Sequence, residues 1–177
     1  MPHLLIPKIG VPNLTVPTVG GKTFSISETR PKTFQIVVFY RGLHCPKCKT
    51  QLQEIEENFD ALKAQGLDVI AISMDNKARA EKTQKDWEIK HLPIGYDLSL
   101  ETARMYGLFI SDQRPDSKEP KIFSEPGFFV IKPDGTLYAE YIQNTPFGRP
   151  PIMDIAGGLD FVIKKGYPVR GTSTAKS

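Results

Sequence analysis

Apolar positions along the chain fall into runs whose period changes from one to the next. Residues 34–40 read Phe-Gln-Ile-Val-Val-Phe-Tyr, a β-branched and aromatic run too short for a helix, which predicts a central strand covered on both faces. From 46 to 65 the period becomes helical. Cys48, Leu52, Ile55, Phe59 and Leu62 recur at steps of three and four, and Gly66 is placed to end the helix. Residues 67–74 form a second buried run, Leu-Asp-Val-Ile-Ala-Ile-Ser-Met. Strand, helix and strand at this spacing predict a right-handed crossover, and so a sheet that is at least partly parallel.

Further along, 77–88 is charged and helical in propensity, and Ser99 is placed to cap a short helix ending at Gly107. Residues 127–131 and 136–142 read as strands joined by Lys132-Pro133-Asp134-Gly135, turn residues that allow an antiparallel hairpin. Ile152, Ile155, Ala156, Leu159, Val162 and Ile163 line one face of a closing helix that Gly166 ends. In 1–30, prolines and glycines interrupt short apolar pieces such as 4–6 and 24–26, so this stretch reads as an N-terminal extension or hairpin. The main domain is then 31–170, with 171–177 expected to be a disordered tail and no internal repeat or linker.

Composition narrows the class. The chain has 177 residues, enough for one domain with its own core. Its 40% hydrophobic and 24% charged content excludes wholesale disorder, collagen-like repetition and coiled coil. Its 23 Lys plus Arg against 20 Asp plus Glu leave a net charge of only +3, interspersed along the chain, so nothing calls for nucleic acid or an anionic membrane. No apolar run approaches a membrane span, and the first residues lack a secretory pattern, so a cytoplasmic address is expected. Many of the 15 prolines fall before residue 32 and between 115 and 151, which marks those stretches as extended or looped.

The chemistry is concentrated at Cys45-Pro46-Lys47-Cys48. Two cysteines this close cannot staple a fold, and a CxxC beside a β-α-β pattern is a specific redox signal; the bland alternative is a pair of ordinary buried cysteines. A zinc site needs about four ligands, and His3, His44 and His91 are scattered, so no metal is expected. Pro46 fits the first helical position, which makes Cys45 the N-cap. The N–H groups of Lys47 and Cys48, the helix dipole and the cations Arg41 and Lys47 would all favour its thiolate. Cys48 shares the apolar stripe and is placed to resolve a mixed disulfide on Cys45. His44 is a candidate for tuning the thiolate or accepting a proton, against the alternative of a partly exposed packing residue. Trp87 reads as packing. Phe147 and Arg149, in Thr-Pro-Phe-Gly-Arg-Pro-Pro, read as a rigid surface connection.

The element order and the CxxC position together predict an α/β, thioredoxin-like fold, with a mixed central sheet flanked by helices and an N-terminal extension. At Val37-Val38-Phe39-Tyr40-Arg41-Gly42-Leu43-His44-Cys45-Pro46-Lys47-Cys48 and at Ser124-Glu125-Pro126-Gly127-Phe128-Phe129-Val130-Ile131-Lys132-Pro133-Asp134-Gly135-Thr136, the chain resembles the AhpC/TSA, or peroxiredoxin-like, branch of the thioredoxin superfamily. The likeness covers most of 15–165. It implies thiol redox chemistry in antioxidant or disulfide metabolism and no cofactor beyond the dithiol. It also implies a thioredoxin- or glutathione-type reductant, and protein disulfides or peroxides as partners; a homodimer is allowed.

Peroxiredoxins carry Pro-x-x-x-Thr-x-x-Cys. With its cysteine laid on Cys48, the Pro falls on Arg41 and the Thr on Cys45, and the family's peroxide-activating Arg falls on Pro126. Thioredoxins have a cis-proline there, facing the CxxC. The resemblance therefore implies a cis Pro126 shaping a substrate groove, with the backbone of Glu125 free to pair with an extended substrate segment. The expected activity is thiol-disulfide exchange. The alternatives are a thiol peroxidase and a redox-inactive interaction module.

Overall fold

The computed structural model of the chain describes residues 5–173. The chain opens with an antiparallel hairpin, β1 (Thr15–Pro17) and β2 (Thr23–Ser25), and enters the sheet at β3 (Phe34–Phe39). Then come α1 (Pro46–Glu57), α2 (Phe59–Ala64), β4 (Leu67–Ile72), α3 (Lys77–Asp86), β5 (Ile94–Gly95) and α4 (Leu100–Met105). A second hairpin, β6 (Ile110–Asp112) and β7 (Ile122–Ser124), leads into β8 (Gly127–Ile131), β9 (Leu137–Ile142) and α5 (Ile152–Lys165). The main sheet has the order β5-β4-β3-β8-β9. β3 pairs parallel with β4 and antiparallel with β8, so the sheet is mixed and β3 is its centre, as the sequence predicts.

All six residues of β3 are buried, because each face of the strand meets a separate layer. Ile36 and Val38, with Tyr40 just beyond, pack with Leu52 and Ile55 of α1 and with Ile152, Ala156 and Leu159 of α5. Val37 and Phe39 face Leu14, Val16 and Tyr106 on the other side. There Phe39, Tyr106 and Phe129 form a cluster of tilted and edge-on rings, with centroids 5.1–5.5 Å apart. The N-terminal segment is thus part of the core: Leu14 is fully buried, and the Tyr106 hydroxyl donates to the Pro12 carbonyl at 2.9 Å.

The structure departs from the sequence reading in several places. The single helix expected over 46–65 is two, broken at Asn58. Its side-chain amide donates to the Glu54 carbonyl at 2.8 Å, and its backbone sits at φ −103° and ψ 8°. The last strand starts at Leu137, because Asp134 takes both the backbone N–H and the hydroxyl of Thr136 into the turn. Ile163, expected on the buried face of α5, is 44% exposed. The β6–β7 hairpin lies partly in the stretch that its prolines marked as looped. Of the N-terminal pieces, Leu4 lies outside the described residues, as do 174–177 of the expected tail.

Candidate active site at Cys45 and Cys48

The site forms where β3 gives way to α1. Gly42 turns the chain at φ +126°, and an added Cβ there would lie 2.7 Å from the Asp75 carboxylate, so the position requires glycine. Asp75, buried just beyond β4, accepts the Leu43 N–H at 2.7 Å and the Arg79 Nε at 2.6 Å. These bonds pin the turn to the end of the neighbouring strand. Cys45 follows as the N-cap in extended conformation, with Pro46 as the first helical residue.

The two thiols are free and buried, with Cys45 1% exposed and Cys48 fully enclosed. The Cys48 backbone N–H donates to the Cys45 sulfur at 3.2 Å, and the Arg41 backbone N–H points to the Cys48 sulfur at 3.4 Å. The pair is asymmetric. Cys45 is brought down to about 6, first by the hydrogen bond from the Cys48 side chain, then by the Cys48 backbone N–H and the Arg149 charge, which together outweigh burial. Cys48 is pushed well above the ordinary thiol value, first by burial and next by Cys45 itself.

Arg149 is the residue that sequence reasoning misplaced. Expected in a surface connection, its guanidinium reaches the thiols: Nη2 lies 3.0 Å from the Cys48 sulfur and 3.7 Å from that of Cys45. Nη1 donates to the Gln51 side chain on α1, and Nε donates to the Pro146 carbonyl at 2.8 Å. Its neighbour Phe147 is 73% exposed. The available signal was position: an arginine held between Gly148 and Pro150-Pro151, directly before a helix with a core face, is fixed where that helix docks.

The other expected tuning residues behave differently. The Arg41 guanidinium is engaged by buried carboxylates, 3.5 Å from Glu119 and 3.1 Å from Glu125, and lies 4.8 Å above the Phe123 ring. It contributes less to the Cys45 thiolate than Cys48 or Arg149 does. His44 packs edge-on against Phe123, and both its ring nitrogens lack a hydrogen-bond partner. Burial, then Arg41, hold it down at about 4, so it is neutral at pH 7 and a poor proton acceptor. Lys47 is exposed, and among the described residues no hydrogen bond or ion pair joins it to either sulfur.

Two expectations drawn from the resemblance are overturned. The described residues contain no cis peptide, so the bond before Pro126 is trans. Glu125 N–H donates to Phe109 at 2.7 Å and the Pro126 carbonyl accepts from Gln143 at 3.1 Å; the chain runs straight from β7 into β8 with nothing demanding the cis isomer. For the same reason the Glu125 N–H is not free for a substrate strand. The Glu125 side chain accepts from Ser111 at 2.7 Å and pairs with Arg41. Pro126 still lies beside the site, since the β3–β8 register, extended by one residue, sets it opposite Tyr40. Among the described residues no group of three or more His, Cys, Asp and Glu side chains is arranged to hold a metal, and no helix is long and apolar enough to cross a membrane. His91 pairs with Glu56 at the surface, and His3 lies outside the described residues.

A dithiol at the first turn of the helix after a central strand, in a mixed sheet of this order, can be set beside known proteins. Residues 9–140 match the AhpC/TSA family. The chain belongs to that family. It is 28% identical over 120 residues to the alkyl hydroperoxide reductase C of Amphibacillus xylanus. That match takes in 66% of this chain but only 59% of the relative, less than two thirds of its length. In structure it is similar to a cysteine-to-serine mutant of peroxiredoxin 6 from Arenicola marina (TM-score 0.76, 18% identity, 98% of this chain and 80% of that one). It is also similar to the AhpC of Enterococcus faecalis (TM-score 0.73, 16% identity, 94% and 99%). These likenesses show the thioredoxin-like fold that AhpC/TSA proteins share. Arg149 lies beyond the matched segment.

Proposed function

We propose that this AhpC/TSA protein is a dithiol oxidoreductase in which Cys45 attacks and Cys48 resolves. The observation that carries this reading is the placing of two sulfurs within one helical turn: Cys45 caps the helix and takes the Cys48 backbone N–H at 3.2 Å, whereas Cys48 is fully enclosed, so the first is lowered to about 6 and the second raised. At neutral pH one is a thiolate and the other a thiol, the pairing that disulfide exchange needs. The Cys45 thiolate attacks a disulfide R–S–S–R′, forms Cys45–S–S–R and expels R′–S⁻. Cys48 then loses its proton, which R′–S⁻ takes up. The Cys48 thiolate attacks the Cys45 sulfur, closes Cys45–S–S–Cys48 and expels R–S⁻. Two electrons pass to the substrate with no cofactor beyond the dithiol. Because Cys45 is 1% exposed, with the Arg149 side chain 3.7 Å from its sulfur, a protein disulfide requires a larger local opening than a small disulfide does. The setting that fits is the cytoplasm, where thioredoxin- or glutathione-type donors regenerate the dithiol.

A second reading is favoured by the Arg149 guanidinium beside the sulfurs and by the peroxidase name of the Amphibacillus relative. In that reading one of the two cysteines attacks a hydroperoxide as its thiolate: Cys–S⁻, ROOH and a proton give Cys–SOH and ROH. The other thiol then condenses with the sulfenic acid, closing Cys45–S–S–Cys48 and releasing water. The guanidinium is present in this site, but the family's threonine hydroxyl is replaced by Cys45 itself. Comparing the second-order rates of the reduced protein with hydrogen peroxide and with a small disulfide, alongside the dithiol reduction potential, decides between them. Exchange that outpaces peroxide oxidation supports the first reading. Peroxide oxidation many orders faster than that of a free thiol establishes the second.

A further inference from the structure

We propose that a basic pocket beside Cys45 seats a carboxylate of the substrate, so that the disulfide this protein exchanges with is a small anionic one. This inference rests on the dithiol reading above and names its substrate class. The pocket, about 380 Å³ in volume, opens between the loop that leads to Cys45 and the α3 helix. His44, Lys49, Arg79 and Lys118 line it, and Trp87 forms part of its wall. His44 directly precedes Cys45, and Lys49 follows it by one helical turn, its backbone N–H donating to the Cys45 carbonyl at 3.1 Å. The pocket is thus bounded by the chain on either side of the nucleophile.

The polar groups of this pocket call for an anion. Both ring nitrogens of His44 and Nη2 of Arg79 are buried without a hydrogen-bond partner. Buried donors left unpaired are costly, and the N–H of a neutral imidazole and a guanidinium N–H both suit a carboxylate oxygen. The carboxylates nearby are already engaged. Asp75 accepts the Arg79 Nε at 2.6 Å and the Leu43 N–H at 2.7 Å, and Glu119 is held by Arg41, Arg114 and Ser117. Asp86, the one acidic side chain in the lining, pairs with Lys82 at 2.7 Å. Lys49 and Lys118 make no ion pair or side-chain hydrogen bond among the described residues. Two unpaired cations and two unpaired donors therefore border one cavity next to the attacking cysteine. Its volume suits a carboxylate with the few methylenes that join it to sulfur. Inorganic phosphate shares the chemistry, but the place beside Cys45 favours a group carried by the substrate.

Trp87, the single tryptophan of the chain, makes binding in the pocket observable. The full chain, as wild type and as the double variant Lys49→Gln with Lys118→Gln, is titrated with suberate, the unreactive carbon analogue of dithiodipropionate, and with octanediol and inorganic phosphate. Suberate should change the Trp87 emission saturably and octanediol should not. The double variant should bind suberate about three- to tenfold more weakly, a difference that shrinks in high salt. Thiol release is then followed from dithiodipropionate, hydroxyethyl disulfide and cystamine, which are anionic, neutral and cationic. Each rate is divided by that of the neutral disulfide, so that comparing variant with wild type cancels the intrinsic reactivity of each compound. The dithiodipropionate ratio should fall about three- to tenfold in the double variant and the cystamine ratio should rise. No emission change with suberate, or ratios that stay put, overturns the proposal. A response to phosphate without one to suberate also overturns it and makes the pocket an inorganic-anion site. Saturable suberate binding with no thiol released from any of the three disulfides by the wild type sinks the dithiol reading, a different outcome from any effect of the two lysines.

Discussion

The backbone N–H of Cys48 donates to the sulfur of Cys45 across 3.2 Å. The residue assigned to resolve the mixed disulfide is thus also the one whose amide steadies the attacking thiolate. This follows from local sequence: Pro46 starts the helix, Cys45 caps it, and the N–H of the third helical residue falls on the capping sulfur. Selective reactivity should follow. Alkylation of the native protein at a series of pH values, read by peptide mass mapping, should label Cys45 with a midpoint near pH 6 and leave Cys48 unlabelled through neutral pH.

The same asymmetry gives stability a pH dependence. Cys45 has a folded value of about 6, below that of the unfolded thiol, about 8.5. The stabilisation it contributes is therefore complete above the unfolded value and is lost as pH falls toward 6. Cys48, raised on folding, acts the other way and destabilises the fold once the pH exceeds the unfolded value. Denaturant midpoints of the reduced protein, relative to a Cys45→Ser variant, should rise between pH 6 and 8.5. A flat difference across that window contradicts the thiolate assignment.

Gly42→Ala should cost stability and selectivity together. The alanine must adopt φ +126°, and its Cβ would meet the Asp75 carboxylate that anchors the Leu43 N–H. Strain of this kind costs about 1–3 kcal/mol. Denaturant unfolding should show that loss, and the Cys45 alkylation midpoint should move toward the ordinary thiol value as the turn shifts the N-cap.

Leu14→Ala tests whether the N-terminal segment belongs to the core. Leu14 is fully buried with Val37, Phe39 and Tyr106, so truncation should cost about 2–5 kcal/mol in equilibrium unfolding, with alkylation of Cys45 unchanged in the folded protein. A loss of a few tenths would mean the segment is an arm rather than part of the domain.

What the sequence made legible depended on how local the cause was. The continuous apolar run 34–40, the cap at Cys45 and Pro46 and the three-four spacing through Leu62 each specify their own structure, so the central strand, the first helix and the placing of both thiols were readable. Arg149 was not. It lies 101 residues from Cys48, and its role depends on where α5 docks, which hydrophobic period cannot report. Arg41 and His44 were legible as neighbours of the motif but not in effect. The carboxylates that hold Arg41 and the Phe123 ring that buries His44 come from the 119–125 stretch, brought in by tertiary pairing. Pro126 lies across from Tyr40 at the end of the β3–β8 pairing, but its peptide keeps the ordinary trans isomer, and the Glu125 N–H is taken by Phe109, a tertiary partner that no local pattern encodes.

The central claim is that Cys45 attacks and Cys48 resolves, and trapping tests it most directly. Cys48→Ser and Cys45→Ser, each reduced and mixed with a disulfide-bonded test protein and with a small disulfide, are followed on non-reducing gels and by intact mass. The account predicts that Cys48→Ser accumulates stable mixed disulfides through Cys45 while Cys45→Ser traps little, because its remaining thiol is held in the protonated form. Adducts formed equally by both variants, or only by Cys45→Ser, would contradict it.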